Sequence, residues 1–264
     1  MTLADGLEKG PRHPVGENSG EMSLNIVIPV YNEGANIVAT LGRIAECLQG
    51  TNVSTQVTIV YDFDADDTLP VVESLRTEYP VPIRLQKNTG KGVCDAIKQG
   101  LLASESSYVL VTMADMSDDY AKLPLMLEKA AVGWDIVCGS RYMRGGRQYG
   151  GPLLKKTLSR MAGLSLHWLA RIPTHDVTNS YKLYRRAILD VIPLESAGGF
   201  EIGIEIVVKA HAQGMRITEV PCSWWDRSFG ESRFRLKKWI PLYLKWYRYA
   251  LKNRWAGKPA HHMN

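Results

Sequence analysis

The sequence predicts an α/β protein with a mostly parallel central sheet flanked by helices, and three observations carry that prediction. Short β-branched strands alternate with amphipathic helices from Ser23 to Gly139. The strands are continuously apolar rather than alternating, as strands covered on both faces are. Chemistry-bearing residues gather where strands end, at Tyr31-Asn32-Glu33, Asp62-Phe63-Asp64, Asp115 and Arg141. Open α/β sheets bind ligands in the crevice beyond those carboxyl ends.

Each element follows from local pattern. Ser23–Tyr31 (SLNIVIPVY) is a buried strand closed by Asn-Glu-Gly. Ala35–Gln49 has helical spacing, with Ile37, Leu41, Ile44 and Leu48 on one face. Gln56–Tyr61 is a second strand, and Leu69–Tyr79 a helix with Val72, Leu75 and Tyr79 in register. Ile83–Gln86 reads as a strand, Gly92–Ala103 as a helix, and Tyr108–Met113 as a strand before an acidic loop. Pro124–Ala131 (helix) and Ile136–Gly139 (strand) complete the alternation.

Beyond Gly151 the pattern changes. Leu153–Leu169 predicts an amphipathic helix, Ser180–Tyr184 an extended segment, Phe200–Ala212 a helix and Arg216–Trp225 a strand. Trp239–Lys252 predicts a C-terminal amphipathic helix, with Pro241 in its first turn, where proline is tolerated. Its aromatic residues Trp239, Tyr243 and Trp246 share a side with Ala250. Lys238, Lys245, Arg248 and Lys252 form a second stripe. That pairing suits either an anionic membrane interface or docking on the protein's own core.

The 264 residues suffice for one large domain. The expected division is a disordered leader over 1–22, a catalytic domain over 23–235, and a basic aromatic helix and tail over 236–264. No apolar run reaches the 18–20 residues, roughly, that a membrane span needs. No secretion signal opens the chain. Cys47, Cys94, Cys138 and Cys222 have neither paired nor metal-ligand spacing and read as reduced thiols. Residues 227–258 hold ten Lys or Arg and one acid, a local +9, which leaves −4 for the rest of a +5 chain. A basic segment on an acidic domain points to a local anionic contact and away from nucleic-acid binding.

The strand-end strings carry the chemistry. Pro29-Val30-Tyr31-Asn32-Glu33 leaves the first strand. Val60-Tyr61-Asp62-Phe63-Asp64 leaves the second, and its carboxylates can accept hydrogen bonds from base N–H groups. Asn88-Thr89-Gly90-Lys91-Gly92 opens a helix; it is not a Walker A loop, but offers glycines, a lysine and a helix N-terminus to a phosphate. Met113-Ala114-Asp115-Met116-Ser117-Asp118-Asp119 follows the most apolar strand. Gly139-Ser140-Arg141-Tyr142, with Arg144 and Gly145-Gly146, supplies planar cationic forks suited to phosphate. Further on come His175-Asp176, Phe200 to Glu205, Glu219-Val220-Pro221 and Arg227-Ser228-Phe229-Gly230-Glu231-Ser232-Arg233.

In this order the strings resemble the family 2 glycosyltransferases, especially the dolichyl-phosphate (polyprenyl-phosphate) mannosyltransferase branch, from about Ser23 to about Arg235. The resemblance implies a GT-A-like nucleotide-binding fold and inverting sugar transfer from a nucleotide-diphosphate donor, GDP-mannose or a UDP-sugar. It places Pro29, Tyr31, Glu33, Asp62, Asp64, Lys91 and Asp115 around the nucleotide. Asp115 is the implied ligand of a divalent cation, Mg²⁺ or Mn²⁺. The implied catalytic set is Asp115, Asp118, Arg141 and Glu205, and Arg141, Arg144, Arg227 and Arg233 are implied for phosphate or acceptor. Three departures stand out: Met113 replaces the first aspartate of the usual D-x-D, Ser117 its glutamine, and Phe63 the small residue of D-D-G-S. The acceptor stays open between a polyprenyl phosphate and a saccharide hydroxyl, for which Asp118, Asp119 and Glu205 are the candidate bases. A non-catalytic nucleotide-sugar-binding protein is a further reading. The expected location is cytoplasmic, peripheral on the inner face of the membrane through the C-terminal helix.

Overall fold

The computed structural model describes residues 21–226 and 236–254, the side chains of 236–238 excepted. Strands β1 (Ser23–Val30), β2 (Ser54–Tyr61), β3 (Ile83–Lys87) and β4 (Tyr108–Val111) alternate with helices α1 (Gly34–Leu48), α2 (Thr68–Leu75) and α3 (Gly92–Leu102). A short 3₁₀ turn and α4 (Leu123–Ala131) lead to β5 (Ile136–Ser140). Then come β6 (Arg147–Tyr149), α5 (Leu153–Ala170), β7 (Lys182–Arg185), the one-turn α6 (Ile188–Val191) and α7 (Ile202–Ala212). The chain continues through β8 (Ile217–Pro221) and β9 (Ser223–Trp225) to α8 (Leu236–Lys252).

Seven strands form one sheet in the order β3-β2-β1-β4-β7-β5-β8. Its pairs are parallel except where β7 runs against β4 and β5. The β1 run is buried from Leu24 to Val30 because both faces are covered. One core layer joins Leu24, Ile26 and Ile28 to Ile37, Leu41 and Ile44 of α1 and to α4. The other joins Val27, Val109 and Val111 to α3, α7 and α8. Each such buried Ile, Leu or Val side chain contributes about 1.5–3 kcal/mol. Gly100 lets α3 lie directly on β1, since a Cβ there would collide with Val27.

The antiparallel β7 is the feature that strand–helix alternation does not foretell. Asp176 is bonded to Arg141 at the carboxyl end of β5. The strand that follows therefore starts at that edge and can only run back. The predicted strand 216–225 is two strands. Cys222 interrupts it, its N–H bonding Ser140 (2.9 Å) and its carbonyl accepting from Arg147 (3.1 Å). β9 then leaves the main sheet and pairs with β6 in a two-stranded ribbon.

α8 begins at Leu236, so Pro241 lies inside it rather than in its first turn. Its aromatic side faces the protein's own core. Trp246 is buried and donates its Nε1–H to Ser196 Oγ (3.0 Å), and Trp239 meets Phe200 edge-on at 5.7 Å. Glu195 ties α7 to α8 through Lys209 (2.8 Å) and Lys245 (3.0 Å), which hold its carboxyl down at about 2. Among the described residues no helix is long and apolar enough to cross a membrane.

Candidate nucleotide-sugar site

The sheet order makes β3, β2, β1 and β4 neighbours, so the loops bearing Lys91, Asp62, Tyr31 and Asp115 share one edge. The β1 exit is shaped by its neighbour. Asn32 takes a left-handed φ of 53°, a conformation asparagine tolerates better than most residues. Its N–H donates to Asp66 Oδ2 (3.1 Å), the Glu33 N–H to Thr68 Oγ1 (2.9 Å) and the Gly34 N–H to Asp67 Oδ1 (2.9 Å). The end of the β2 acidic string thus holds the turn that presents Tyr31 and Glu33. Tyr31 is 40% exposed and tilts against Phe63, ring centroids 5.1 Å apart. Pro29 is buried beneath them in β1.

Asp62 fixes the lysine–glycine loop, accepting from Asn88 Nδ2 (2.7 Å) and from the Gly92 N–H (2.9 Å). Gly92 has φ 78°, which a side chain would strain. Lys91 caps α3 and is exposed. Asp64 is exposed and paired with Lys87 at 2.6 Å.

The β4 exit is the most constrained. Thr40 of α1 donates to the Ala114 carbonyl (2.9 Å), Tyr120 donates to the Met113 carbonyl (2.8 Å), and the Trp225 N–H donates to the Ser117 carbonyl (3.1 Å). Met116 has φ 60°, an outlier for an unbranched apolar residue and the kind of strain that gathers at ligand-binding loops. Asp115 accepts the Ser117 N–H at 3.2 Å. Met113, in place of a first aspartate, is partly buried and packs against the apolar core layer. Among the described residues no group of three His, Cys, Asp or Glu converges as a metal cage. A lone carboxylate of this kind fits a hard cation that keeps its waters and takes phosphate oxygens.

Asp118 and Asp119 are built into the fold. Asp118 accepts from Thr112 Oγ1 (2.7 Å) and the Met113 N–H (3.1 Å), and Asp119 from the Ser223 N–H (2.9 Å). Burial pushes the Asp118 carboxyl up to about 7, against the pull of the Thr112 bond. The folded pKa lies above the unfolded value of about 3.9. Stability is therefore fullest below pH ~4 and is lost as pH rises to about 7. Asp118→Asn keeps an oxygen for both donors and removes the charge. In chelator-treated protein, urea unfolding should find variant and wild type equal near pH 4. Near pH 8 the variant should be more stable, by at most about 4 kcal/mol.

Arg141 is held from several sides. Its Nε and Nη2 grip Asp176 at 2.6 and 2.9 Å, and Nη2 also reaches Ser159 (3.1 Å) and Thr178 (3.0 Å). It lies 4.9 Å over the Tyr142 ring. Sequence pattern offered Arg141 as a free phosphate fork; the geometry instead commits two of its three guanidinium nitrogens inside the protein. Arg144 is exposed on the loop before β6. Arg227 and Arg233 lie outside the described residues. Glu205, placed by the resemblance in the catalytic set and offered as a candidate base, is instead enclosed by the protein's own donors. It is fully buried, accepting from the Glu195 and Ser196 N–H groups (2.6 and 2.8 Å) and from Lys209 Nζ (2.7 Å). That removes it from the candidate bases.

Two carboxylates that lie within quoted strings but received no role from sequence, Glu201 and Glu219, organise their surroundings. Glu201 takes the N–H groups of Gly198 and Gly199 (2.8 and 2.6 Å). Glu219 takes Thr174 Oγ1 (2.9 Å), the His175 N–H (2.8 Å) and His175 Nδ1 (2.5 Å). His175 is thereby fixed and stacks on His167 at 3.9 Å. The Glu-Gly-Gly proximity at 198–201 was a usable signal for a local cap. The Glu219 contact spans 44 residues and had none.

Adjacent parallel strands carry an aromatic-acid turn, a glycine–lysine loop and Asp115 at one edge of the sheet, beyond the strand carboxyl ends, where open α/β sheets bind ligands. The chain belongs to glycosyl transferase family 2, which residues 25–192 match. It is 28% identical over 219 residues to the dolichol-phosphate mannosyltransferase of Pyrococcus furiosus, covering 82% of this chain and 60% of that protein's length. It is 30% identical over 217 residues to the polyprenol monophosphomannose synthase of Mycolicibacterium smegmatis, covering 79% of each. Glucosyl-3-phosphoglycerate synthase from Mycobacterium tuberculosis, solved with Mn²⁺, UDP and glucosyl-3-phosphoglycerate, matches with a TM-score of 0.62 at 16% identity over 91% of this chain and 82% of that one. The same enzyme solved with Mg²⁺ and UDP gives 0.60 at 15% identity, over 91% and 81%. At such identity the likeness is one of fold, the GT-A fold.

Proposed function

We propose that the chain is an inverting glycosyltransferase that moves a hexose from GDP-mannose or a UDP-sugar to a polyprenyl phosphate. The observation that carries this reading is the convergence of Tyr31, Glu33, Asp62 and Asp115 on neighbouring strand ends, in a chain 30% identical to a protein named polyprenol monophosphomannose synthase. Residues 23–235 are read as the catalytic unit, with the basic helix attached to it.

In this reading Tyr31 and Phe63 flank the nucleobase, and Glu33, Asp62 and Asp64 meet its polar edge or the ribose. Asp115 would hold a divalent cation, Mg²⁺ or Mn²⁺. Such a cation, when bound, would supply charge neutralisation to a departing diphosphate. Lys91 and the α3 N-terminus add positive potential on the same side. Arg144, Arg227 and Arg233 orient the acceptor phosphate. Arg141, locked on Asp176, keeps the loop that bears Tyr142 and Arg144 in position.

A phosphate acceptor is already ionised near neutral pH and needs no general base, only orientation. That agrees with the carboxylates available: Asp118 and Glu205 are buried and hydrogen-bonded, and Asp119 holds Ser223. A saccharide hydroxyl would require one of them to reach the acceptor. The lipid acceptor makes the protein peripheral on the cytoplasmic, inner face of a membrane. The test incubates the protein with labelled donor, Mg²⁺ and either polyprenyl phosphate or a soluble saccharide. Label in the lipid fraction is expected; label in the saccharide with none in lipid overturns the acceptor assignment, and no transfer from any donor favours a non-catalytic binding protein.

A further inference from the structure

A helix lying on a soluble domain is apolar on its inner side and polar on its outer side. α5 departs from that rule. Gly163, Leu166 and Ala170 face the core, as expected. Yet Leu153, Leu154, Met161 and Trp168 are 79%, 64%, 62% and 73% exposed, with Leu158 at 39%. At 3.6 residues per turn these five fall within an arc of about 140°, opposite the buried three. α8 runs alongside, Tyr247 Oη meeting Ser165 Oγ at 3.0 Å, and its outer side exposes Ile240 and Leu244. Apolar exposure on this scale marks an interaction surface.

The charge around it selects the occupant. From Gly151 to His175 the chain carries no acid, and of its four cations Arg160 and Arg171 are exposed, whereas Lys155 and Lys156 are half-buried and Lys156 donates to the Gln148 carbonyl (3.1 Å). Arg248 and Lys252 add exposed cations on the outer side of α8. A two-fold contact with a second copy would set these cations against one another. Anionic headgroups complement them, with leucine, methionine and tryptophan entering the acyl boundary.

We propose that the outer face of α5, extended by the outer side of α8, docks this protein on an anionic lipid bilayer. The docking element is then α5 rather than the aromatic stripe of α8, whose tryptophans Trp239 and Trp246 are buried. The surface deepens the polyprenyl-phosphate reading and rests on it for its purpose. Vesicle binding needs no turnover, so the two can fail separately.

The test is flotation with vesicles of phosphatidylcholine alone and with phosphatidylglycerol added, for wild type and for Leu154→Ser/Met161→Ser/Trp168→Ser. Wild type should float with the anionic vesicles, less so in high salt, and the variant should partition at least about tenfold less. Its unfolding temperature and its transfer to a short, water-soluble prenyl phosphate should be unchanged. Should the triple variant fold poorly, wild type and Trp168→Phe are compared for fluorescence quenching by brominated lipid, and quenching should fall in the variant. Wild type that ignores anionic vesicles, or a folded variant that floats equally well, overturns the proposal. So does a wild-type dimer in sedimentation equilibrium that the substitutions dissociate, since it assigns the face to a second copy.

Discussion

Asp115→Asn is expected to lower kcat/KM for sugar transfer by about 10³-fold, or ~4 kcal/mol, with the unfolding temperature unchanged. The asparagine Oδ1 can still accept the Ser117 N–H that Asp115 receives at 3.2 Å, so the loop keeps its shape. What is lost is the charge. Met113 cannot replace it, because its side chain packs against the apolar core. Asp118 cannot either, because its Oδ2 takes Thr112 and the Met113 N–H. Steady-state kinetics at saturating Mg²⁺ checks this. A loss of less than tenfold would mean that donor phosphates are neutralised elsewhere in the crevice.

Asp176→Asn is expected to cost about 3–5 kcal/mol of folding stability. Asp176 is fully buried and Arg141 nearly so, and the substitution leaves the guanidinium without its counter-charge. Burial alone would raise the Asp176 carboxyl, but the Arg141 charge outweighs it and holds the carboxyl below the usual range. The folded pKa is thus depressed. The pair's contribution is present above the unfolded pKa of about 3.9 and is lost as pH falls through the lower folded value. Urea denaturation at neutral pH should show a lower midpoint with an unchanged slope. Near pH 3 wild type and variant should draw together. Equal stability at neutral pH would show that Ser159 and Thr178 suffice to hold Arg141.

The strand-end edge of the proposed donor site was legible in the sequence because its residues are local. Each strand ends in a short string, and a parallel sheet brings those ends to one edge whatever the details of packing. Tyr31, Asp62, Lys91 and Asp115 could be placed together from that rule alone. The surroundings of Arg141 and His175 were less legible because their partners are distant in sequence. Arg141 meets Asp176 across 35 residues, and Glu219 meets His175 across 44. No periodicity encodes such pairs, so an arginine that looked free for phosphate turned out to be held by a carboxylate. Glu205 illustrates the same limit, since helical spacing fixed its face but not the lysine that waits there. The aromatic stripe of α8 was correctly read as one face, with its two destinations left open. Only tertiary contacts such as Trp246 with Ser196 choose the core.

The most direct measurement is isothermal calorimetry of the intact chain with GDP-mannose and with UDP-glucose, in Mg²⁺ and in excess chelator, for wild type and Asp115→Asn. One of the two donors should bind the wild type in Mg²⁺ and bind at least about tenfold more weakly in chelator, with Asp115→Asn binding weakly in both. Donor binding that is the same with and without the metal, and the same in Asp115→Asn, would contradict a cation held by Asp115 at the centre of the site.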